Sequence, residues 1–170
     1  MALRRESPYR GRRLRPHEVV LERALMSPVG YQFIAHLAPR IDKVLIPRTN
    51  GRLSSAGIDR VGLVATTGAK SGLLRTQPLV LIEDGGGLLA IGSNYGRPSH
   101  PSWSTNLRAH PECTVTFKSA PAQYRAEMLT GADRASAWAT ATDFYAGYER
   151  YRARCAPREI RIFRLLPVAV

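Results

Sequence analysis

Short apolar segments separated by glycine-bounded turns dominate the chain from Val61 onward. Strands are expected over Val61–Thr67, 76–82 and 88–92, with tight turns at 68–72 and 83–87. Two strands about a tight turn, repeated along the chain, are typical of an antiparallel meander. A parallel pair needs a crossover of about a dozen residues or more between its strands, and these turns are too short for that. The pattern therefore disfavours the βαβ alternation of a parallel sheet.

The rest of the chain adds three strand candidates and two helices. Further strands are expected over 114–118, 123–129 and 159–166, and helices over 102–110 and 131–151. Pro78 lies inside the second strand, where its missing N–H requires an edge position or a bulge. Six short strands with a connecting helix, a late helix and a return strand predict a small, mainly antiparallel barrel of the α+β class.

The first third of the chain differs in composition from the rest. Residues 1–15 carry six arginines against Glu6 alone, which predicts a basic, flexible arm. Residues 16–60 contain amphipathic helical segments interrupted by prolines. We therefore expect three parts, namely the arm at 1–15, an N-terminal helical segment at 16–60 and a barrel domain at 61–170.

The net charge of +12 suggests an anionic partner, which could be nucleic acid, a membrane surface or a polyanionic small molecule. Nucleic acid is not expected, because no recognised fold or aromatic–basic pattern accompanies the charge. No apolar run of about 18 residues predicts a transmembrane helix. Two isolated cysteines and the lack of a secretory signal fit the cytoplasm.

The turn that follows the first strand is the sharpest local motif. It reads TTGAKSG over 66–72, with Arg75 and Thr76 just beyond it. Glycines allow a tight turn whose N–H groups converge on an anion, while Lys70 and Arg75 add positive charge. The same residue types are common in solvated hairpin turns, so this motif alone leaves both interpretations open.

Two further clusters stand out. Residues 93–107 pack hydroxyls, amides and aromatic rings into one connecting segment, as functional loops do. Tyr145, Tyr148 and Tyr151 recur every three residues and can line one wall or pack in a core. The chain shows no metal-ligand spacing, no catalytic-triad motif and no nucleotide-binding glycine motif. Because the chain offers few reactive groups of its own, we expect a cofactor to carry the reaction.

In order and separation these clusters resemble the deazaflavin-dependent nitroreductase family of actinobacteria. The family pattern is TTGRKSG, R-T-x-P, S-N-x-G, HPAW-x-x-NL and PGY-x-x-Y. The corresponding segments here are TTGAKSG (66–72), RTQP (75–78), SNYG (93–96), HPSWSTNL (100–107) and AGYERY (146–151). The resemblance covers about residues 45–167.

The resemblance implies the split β-barrel fold that flavin-mononucleotide-binding oxidoreductases share, here with six strands, N-terminal helices and a late helix. It also implies hydride transfer from reduced coenzyme F420 to a quinone, a nitro compound or another activated acceptor. The alternatives are a split barrel that binds FMN or heme, or a basic module that binds the membrane peripherally. The expected location is the cytoplasm, with contact at the inner face of the membrane, and the expected state is a monomer or a homodimer.

The resemblance also assigns residues. Those against the coenzyme are Ala69, Lys70, Ser71, Arg75, Thr76, Gln77, Ile91, Gly92, Ser93, Asn94, Ser102, Trp103, Ser104, Thr105, Asn106 and Tyr148. Tyr148 and Ser93 are the expected catalytic donors, and Tyr145, Tyr148 and Tyr151 are expected to line the substrate side. Ala69 replaces the family's arginine and removes a cation near the coenzyme tail. Ala146 replaces its proline, which suggests that the tyrosine helix continues without a bend.

Overall fold

The computed structural model describes residues 38–49, 61–118 and 120–168. The predicted basic arm and most of the predicted N-terminal helical segment lie outside the described residues. No helix within the described ranges is long and apolar enough to cross a membrane.

Six antiparallel strands close into a barrel. They are β1 (Val61–Thr67), β2 (Leu74–Asp84), β3 (Gly87–Ile91), β4 (Glu112–Thr116), β5 (Ala122–Met128) and β6 (Ile162–Pro167). Their order around the barrel is β1-β2-β3-β6-β5-β4, and each neighbouring pair is antiparallel. The predicted six-stranded, mainly antiparallel barrel is confirmed.

Pro78 lies where proline is tolerated in a sheet. The half of β2 before Leu81 pairs with β1 alone, and β3 joins β2 only from Leu81 onward. Pro78 is therefore in an edge-like half-strand, as its missing N–H requires.

Within the described residues, four α-helices and one 3₁₀ turn accompany the barrel. They are α1 (Ala38–Arg48), the 3₁₀ turn Asn94–Gly96, α2 (Ser102–Ala109), α3 (Gly131–Phe144) and α4 (Gly147–Cys155). α1 packs on the barrel through Ile46, which is fully buried with Val61 and Leu63.

The prediction of one helix over residues 131–151 is wrong. α3 ends at Phe144, Tyr145 adopts extended backbone (φ −150°, ψ 105°), and a new helix begins at Gly147. The replacement of proline by Ala146 does not let the helix continue. Tyr145 instead turns its ring onto Tyr148 at a centroid distance of 5.5 Å, and this packing outweighs the helical propensity of the segment.

The strands separate two cores, which explains the alternation along β6. Phe163 points into the barrel with Val64 and Leu165, where Trp103 and Leu107 of α2 close one end. The rings of Trp103 and Phe163 are 5.7 Å apart. Trp103 is 4% exposed and packs in this core, and its contact with a coenzyme stays a prediction.

The second core lies outside the barrel. The outer face of the barrel packs against α3 and α4. This core contains Ile82, Leu89 and Ile162 of the strands and Trp138 and Tyr148 of the helices. α4 is thereby held beside the segment that follows β3, which it also contacts through the 3₁₀ turn.

Candidate active site

The turn between β1 and β2 has a fixed conformation. The Gly68 N–H donates to the Leu73 carbonyl at 2.9 Å, and the Gly72 N–H donates to the Gly68 carbonyl at 2.8 Å. Gly72 has φ +66°, a left-handed backbone that favours glycine. Lys70 and Ser71 are exposed at the tip of this turn. The turn therefore presents a cation and a hydroxyl to solvent on a rigid backbone.

Asn106 ties this turn to α2. Its Oδ1 accepts a hydrogen bond from the Ala69 N–H at 3.0 Å, and its Nδ2 donates to Thr66 Oγ1 at 3.0 Å. The Thr66 hydroxyl in turn donates to the Arg75 carbonyl at 3.4 Å. Asn106 is 7% exposed. Its amide thus positions the backbone around the turn, and its contact with a coenzyme stays a prediction.

The segment after β3 approaches its neighbours through backbone. The Gly92 N–H donates to the Arg161 carbonyl at 2.8 Å, and a Cβ at Gly92 would lie 3.0 Å from that oxygen. Asn94 and Tyr95 have φ of 48° and 55°. Such left-handed residues cost about 1–3 kcal/mol each and cluster at ligand sites. The Asn94 Nδ2 supports the bend by donating to the Ser99 carbonyl at 2.9 Å.

Arg158, which no sequence motif marks, holds this segment in place. Its Nε donates to the Arg97 carbonyl at 3.1 Å, one terminal nitrogen donates to the Gly92 carbonyl at 3.1 Å, and the other donates to the Ser93 carbonyl at 2.7 Å. One guanidinium therefore satisfies three backbone carbonyls. No local pattern marks such an arginine, because its partners lie more than 60 residues away.

The three predicted tyrosines do come together, although they begin a new helix and do not continue the old one. Ring centroids are 5.5 Å apart for Tyr145 and Tyr148, 6.3 Å for Tyr148 and Tyr151, and 6.2 Å for Tyr145 and Tyr151. Tyr95, whose place in the sequence does not mark it as a member of this group, joins them at 6.3 Å from Tyr151. We call these four residues the tyrosine wall.

Tyr148 is the buried member of the tyrosine wall, at 6% exposure. Burial raises the pKa of its hydroxyl well above the ordinary value, and Tyr151 and Tyr95 raise it further. The hydroxyl makes no hydrogen bond in the described part of the chain. Every fully buried side-chain polar atom there has a partner, so this hydroxyl reaches solvent. It is a protonated donor without a protein acceptor.

The start of α2 divides into packed and open positions. Trp103 and Ser104 are buried, and the Ser104 hydroxyl donates to the Pro101 carbonyl at 2.8 Å. Ser102 and Thr105 are exposed. Only these two exposed hydroxyls lie open to a ligand without rearrangement.

The remaining predicted residues lie on β2 and at the end of β3. Arg75 and Thr76 are exposed, Gln77 is half-buried, and Ile91 is buried. Neither Lys70 nor Arg75 has a carboxylate partner among the residues that the structure describes. Both are therefore free to bind an external anion.

One end of the barrel gathers these elements. β1 ends there, β2 begins there and β3 ends there, because the three strands alternate in direction. Asn106 joins the turn to α2. The segment after β3 packs closely on α4 at Gly96, where an added Cβ would lie 3.1 Å from the Cβ of Arg154. The exposed cations of the turn and the rings of the tyrosine wall thus belong to the same end of the barrel, and the surface between them is the candidate ligand site. We call this the turn–tyrosine groove.

The groove does not have the chemistry of a metal centre. Within the described ranges, no three His, Cys, Asp or Glu side chains are grouped to hold a metal ion. Its groups are donors, cations and aromatic faces, which suit a flat anionic organic cofactor.

Comparisons with known proteins agree with this chemistry. The family model for F420H(2)-dependent quinone reductase matches residues 39–167. Over 97 residues the chain is 33% identical to the F420H(2)-dependent quinone reductase Rv1261c of Mycobacterium tuberculosis, a match that covers 56% of this chain and 62% of that protein. The chain therefore spans less than two thirds of the length of that relative.

Two solved structures are also similar. An F420-H2 dependent reductase, FDR-A, superposes with a TM-score of 0.57 and 34% identity, covering 62% of this chain and 93% of that one. A structure described as a domain-swapped dimer superposes with a TM-score of 0.59 and 28% identity, covering 82% and 99%. Since the family model covers well over half of its length, the chain belongs to the F420H(2)-dependent quinone reductase family.

Proposed function

We propose that this chain transfers a hydride from reduced coenzyme F420 to a quinone held in the turn–tyrosine groove. The observation that carries the proposal is Tyr148, a buried tyrosine whose hydroxyl has no protein acceptor in the described part of the chain. Membership of the family supports the choice of coenzyme and acceptor.

The residues present fit the coenzyme. Lys70, Ser71 and Arg75 offer charge and a hydroxyl to its phosphate and acidic tail, as the resemblance implies. The resemblance implies that the backbone at 91–94 lies along the deazaflavin ring and that Tyr148 lies close to the ring and the acceptor. Ala69 supplies no cation, and its N–H is used by Asn106. Tail binding here therefore depends on Lys70 and Arg75.

The chemistry of the bound coenzyme is the supply of a hydride to an acceptor. The protein's part is to hold the acceptor at the right distance and to stabilise the negative charge that develops on its oxygen. Tyr148 is suited to donate a hydrogen bond or a proton to that oxygen, because its raised pKa keeps it protonated. The Ser93 side chain, on the segment held by Arg158, is the second candidate donor.

The cofactor and acceptor can be tested together on the purified chain. The chain is titrated into coenzyme F420 and, separately, into FMN. We expect the fluorescence of coenzyme F420 to be quenched with one-to-one stoichiometry and that of FMN to stay unchanged. Preferential binding of FMN or heme would overturn the proposal in favour of the flavin- or heme-binding alternative. With the reduced coenzyme bound, a menaquinone analogue is expected to be reduced faster than a nitroaromatic compound. A reversed order would replace the quinone with a nitro acceptor.

We further propose a cytoplasmic enzyme that meets quinones at the inner face of the membrane. The support is the arginine excess of residues 1–15, which suits anionic lipid, and the solubility of quinones in bilayers. A homodimer is the second expectation, and it is supported by the similar structure described as a domain-swapped dimer. Light scattering on the full chain measures its mass, and a monomeric mass at working concentration would contradict the dimer.

A further inference from the structure

A second concave site lies across the barrel mouth from the β1–β2 turn. It is a cavity of about 450 Å³, lined by Arg108 of α2, by the end of β5 and by the segment that leads into β6. β5 and β6 lie across the closed barrel from β1 and β2, and α2 contributes Asn106 to the Lys70 turn and Arg108 to this cavity. We call it the arginine cavity.

Three arginines line the arginine cavity without a carboxylate to balance their charge. Arg108, Arg158 and Arg161 have no ion-pair partner in the described ranges. Glu159 is the acid at the rim, and it pairs with Arg134 at 3.1 Å. The cavity therefore carries about three uncompensated positive charges.

Arg108, Arg158, Arg161 and His100 line the same cavity, and the charges of the arginines act on one another and on His100. Burial lowers the pKa of Arg161, and Arg108 and Arg158 lower it further. Burial likewise lowers the pKa of His100, followed by the charges of Arg161, Arg158 and Arg108. His100 is thus neutral near pH 7 and leaves the cationic charge to the arginines. Arginines that repel one another in a partly buried space are stabilised when an anion binds between them.

Arg108 and Arg161 retain donors for a ligand, whereas Arg158 donates to three backbone carbonyls. Arg161 makes only long contacts, at 3.4 Å, with the hydroxyls of Ser104 and Thr105. Arg108 is exposed and makes no hydrogen bond within the described residues. Planar guanidinium groups match phosphate oxygens two at a time, whereas a monoanionic carboxylate balances less of the charge. Met128, Leu129 and Ile160 add an apolar side to the same cavity.

We infer that the arginine cavity binds a phosphate-class dianion, either inorganic phosphate or a phosphate monoester whose organic part covers the apolar side. The residues that line this cavity differ from those assigned to the coenzyme, although Arg158 and Arg161 contact Ser93 and Thr105 of that set. The inference does not depend on the proposed reductase activity.

The test is calorimetric titration of the full chain at constant ionic strength. The probes are inorganic phosphate, glycerol 3-phosphate and acetate. Arg108→Gln and Arg161→Gln each remove one charge from the cavity, and Arg108 is exposed, so its replacement does not disturb packing. The matched control is Lys118→Gln, which removes one charge beside Glu83 at the other end of the barrel.

We expect one phosphate per chain, with a dissociation constant that rises about tenfold or more in each arginine variant and is unchanged in Lys118→Gln. Tighter binding of glycerol 3-phosphate identifies a phosphate monoester as the ligand, and tighter binding of phosphate identifies the inorganic ion. Acetate binding as tight as phosphate would overturn the phosphate class. Equal loss in the control, or no binding to the unaltered chain, would overturn the site.

A second titration separates this inference from the proposed function. Saturating coenzyme F420 is expected to leave the phosphate affinity unchanged, and competition between the two would show that the cavity belongs to the coenzyme site. Failure of the chain to bind coenzyme F420 would contradict the proposed function and leave the phosphate titration intact.

Discussion

Tyr148 combines a buried ring with a hydroxyl that has no protein partner among the described residues. Buried tyrosines usually find an acceptor for the hydroxyl, so this arrangement is suited to a ligand that supplies one. Its spacing from Tyr145 and Tyr151 could be found in the sequence, because all three lie on one short segment. The burial of Tyr148 could not be predicted from the sequence, because it depends on packing against Trp138 and the outer face of β3 and β6.

We expect Tyr148→Phe to lower kcat for quinone reduction by about tenfold to a hundredfold, because one donor to the developing charge is lost. The dissociation constant for the coenzyme should change less than about threefold, since the ring is retained. Steady-state kinetics and coenzyme titration measure both. Tyr124→Phe, on β5 beside the barrel core, is the matched control and should leave kcat unchanged. Full turnover by Tyr148→Phe would remove the hydroxyl from the reaction.

The raised pKa of Tyr148 gives this donor a defined pH dependence. A group whose pKa is raised stays protonated as the pH approaches the ordinary tyrosine value of about 10. The ratio of kcat between the unaltered chain and Tyr148→Phe is therefore expected to stay constant from about pH 8 to about pH 10.5, a range that crosses the ordinary tyrosine pKa. A ratio that falls severalfold between about pH 9 and about pH 10.5 would show that the hydroxyl ionises near its ordinary pKa.

Asn106 shows that a residue in a binding motif can act through backbone. Asn106→Ala removes two hydrogen bonds and leaves the Thr66 hydroxyl without its donor, so we expect the free energy of unfolding to fall by about 1–3 kcal/mol. Coenzyme affinity should fall as well, because the turn loses its tether to α2. Gln123→Ala, which removes an exposed hydrogen bond to Thr114, is the control and should cost less than about 0.5 kcal/mol. Equal losses in urea unfolding of the two variants would contradict a special role for Asn106.

At the scale of elements, the break between α3 and α4 decides the shape of the groove. Strands, turns and the position of α2 follow from local patterns, and the structure reproduces them within a few residues. Local sequence patterns do not predict the break between α3 and α4, because the break depends on where the Tyr145 ring packs after folding. Arg158 was missed for the same reason, since its three carbonyl partners are remote in sequence.

Gly147 is the position at which this break can be tested. A Cβ there would overlap the Tyr145 ring. We expect Gly147→Ala to displace that ring and to lower kcat/KM for the acceptor by about tenfold to a hundredfold, the effect of a shift of about 1 Å at a reactive site. The free energy of unfolding should change by less than about 1 kcal/mol, since alanine favours helix. Ala146→Ser alters the exposed neighbour and should leave the kinetics unchanged. Unaltered kinetics in Gly147→Ala would show that Tyr145 does not shape the acceptor site.

At the scale of the whole molecule, the net charge of +12 resolves into separate groups. Lys70 and Arg75 flank the turn–tyrosine groove, and Arg158 holds the segment after β3. Arg108 and Arg161 face the arginine cavity. The net charge alone indicated an anionic partner. Which arginines share a site is known only from the folded barrel, which brings together residues that are distant in sequence.

The basic arm forms a further group, and its removal tests the membrane proposal. Deletion of residues 2–15 removes six arginines and one glutamate. We expect binding to vesicles that contain anionic lipid to weaken by about tenfold or more at low salt, because each basic residue near such a surface contributes about 1 kcal/mol. Coenzyme affinity and kcat should be unchanged. Vesicle sedimentation of both chains measures this, and equal binding would assign the membrane contact elsewhere or exclude it.

The most direct measurement of the central claim is a single-turnover reaction of the full chain with reduced coenzyme F420. Protein and reduced coenzyme are mixed rapidly with a menaquinone analogue, and the absorbance of the oxidised coenzyme is followed. We predict stoichiometric oxidation of the coenzyme and formation of the quinol, at a rate that Tyr148→Phe lowers and Tyr124→Phe does not. No coenzyme oxidation above the protein-free rate, with the coenzyme shown to be bound, would contradict hydride transfer to a quinone in the turn–tyrosine groove.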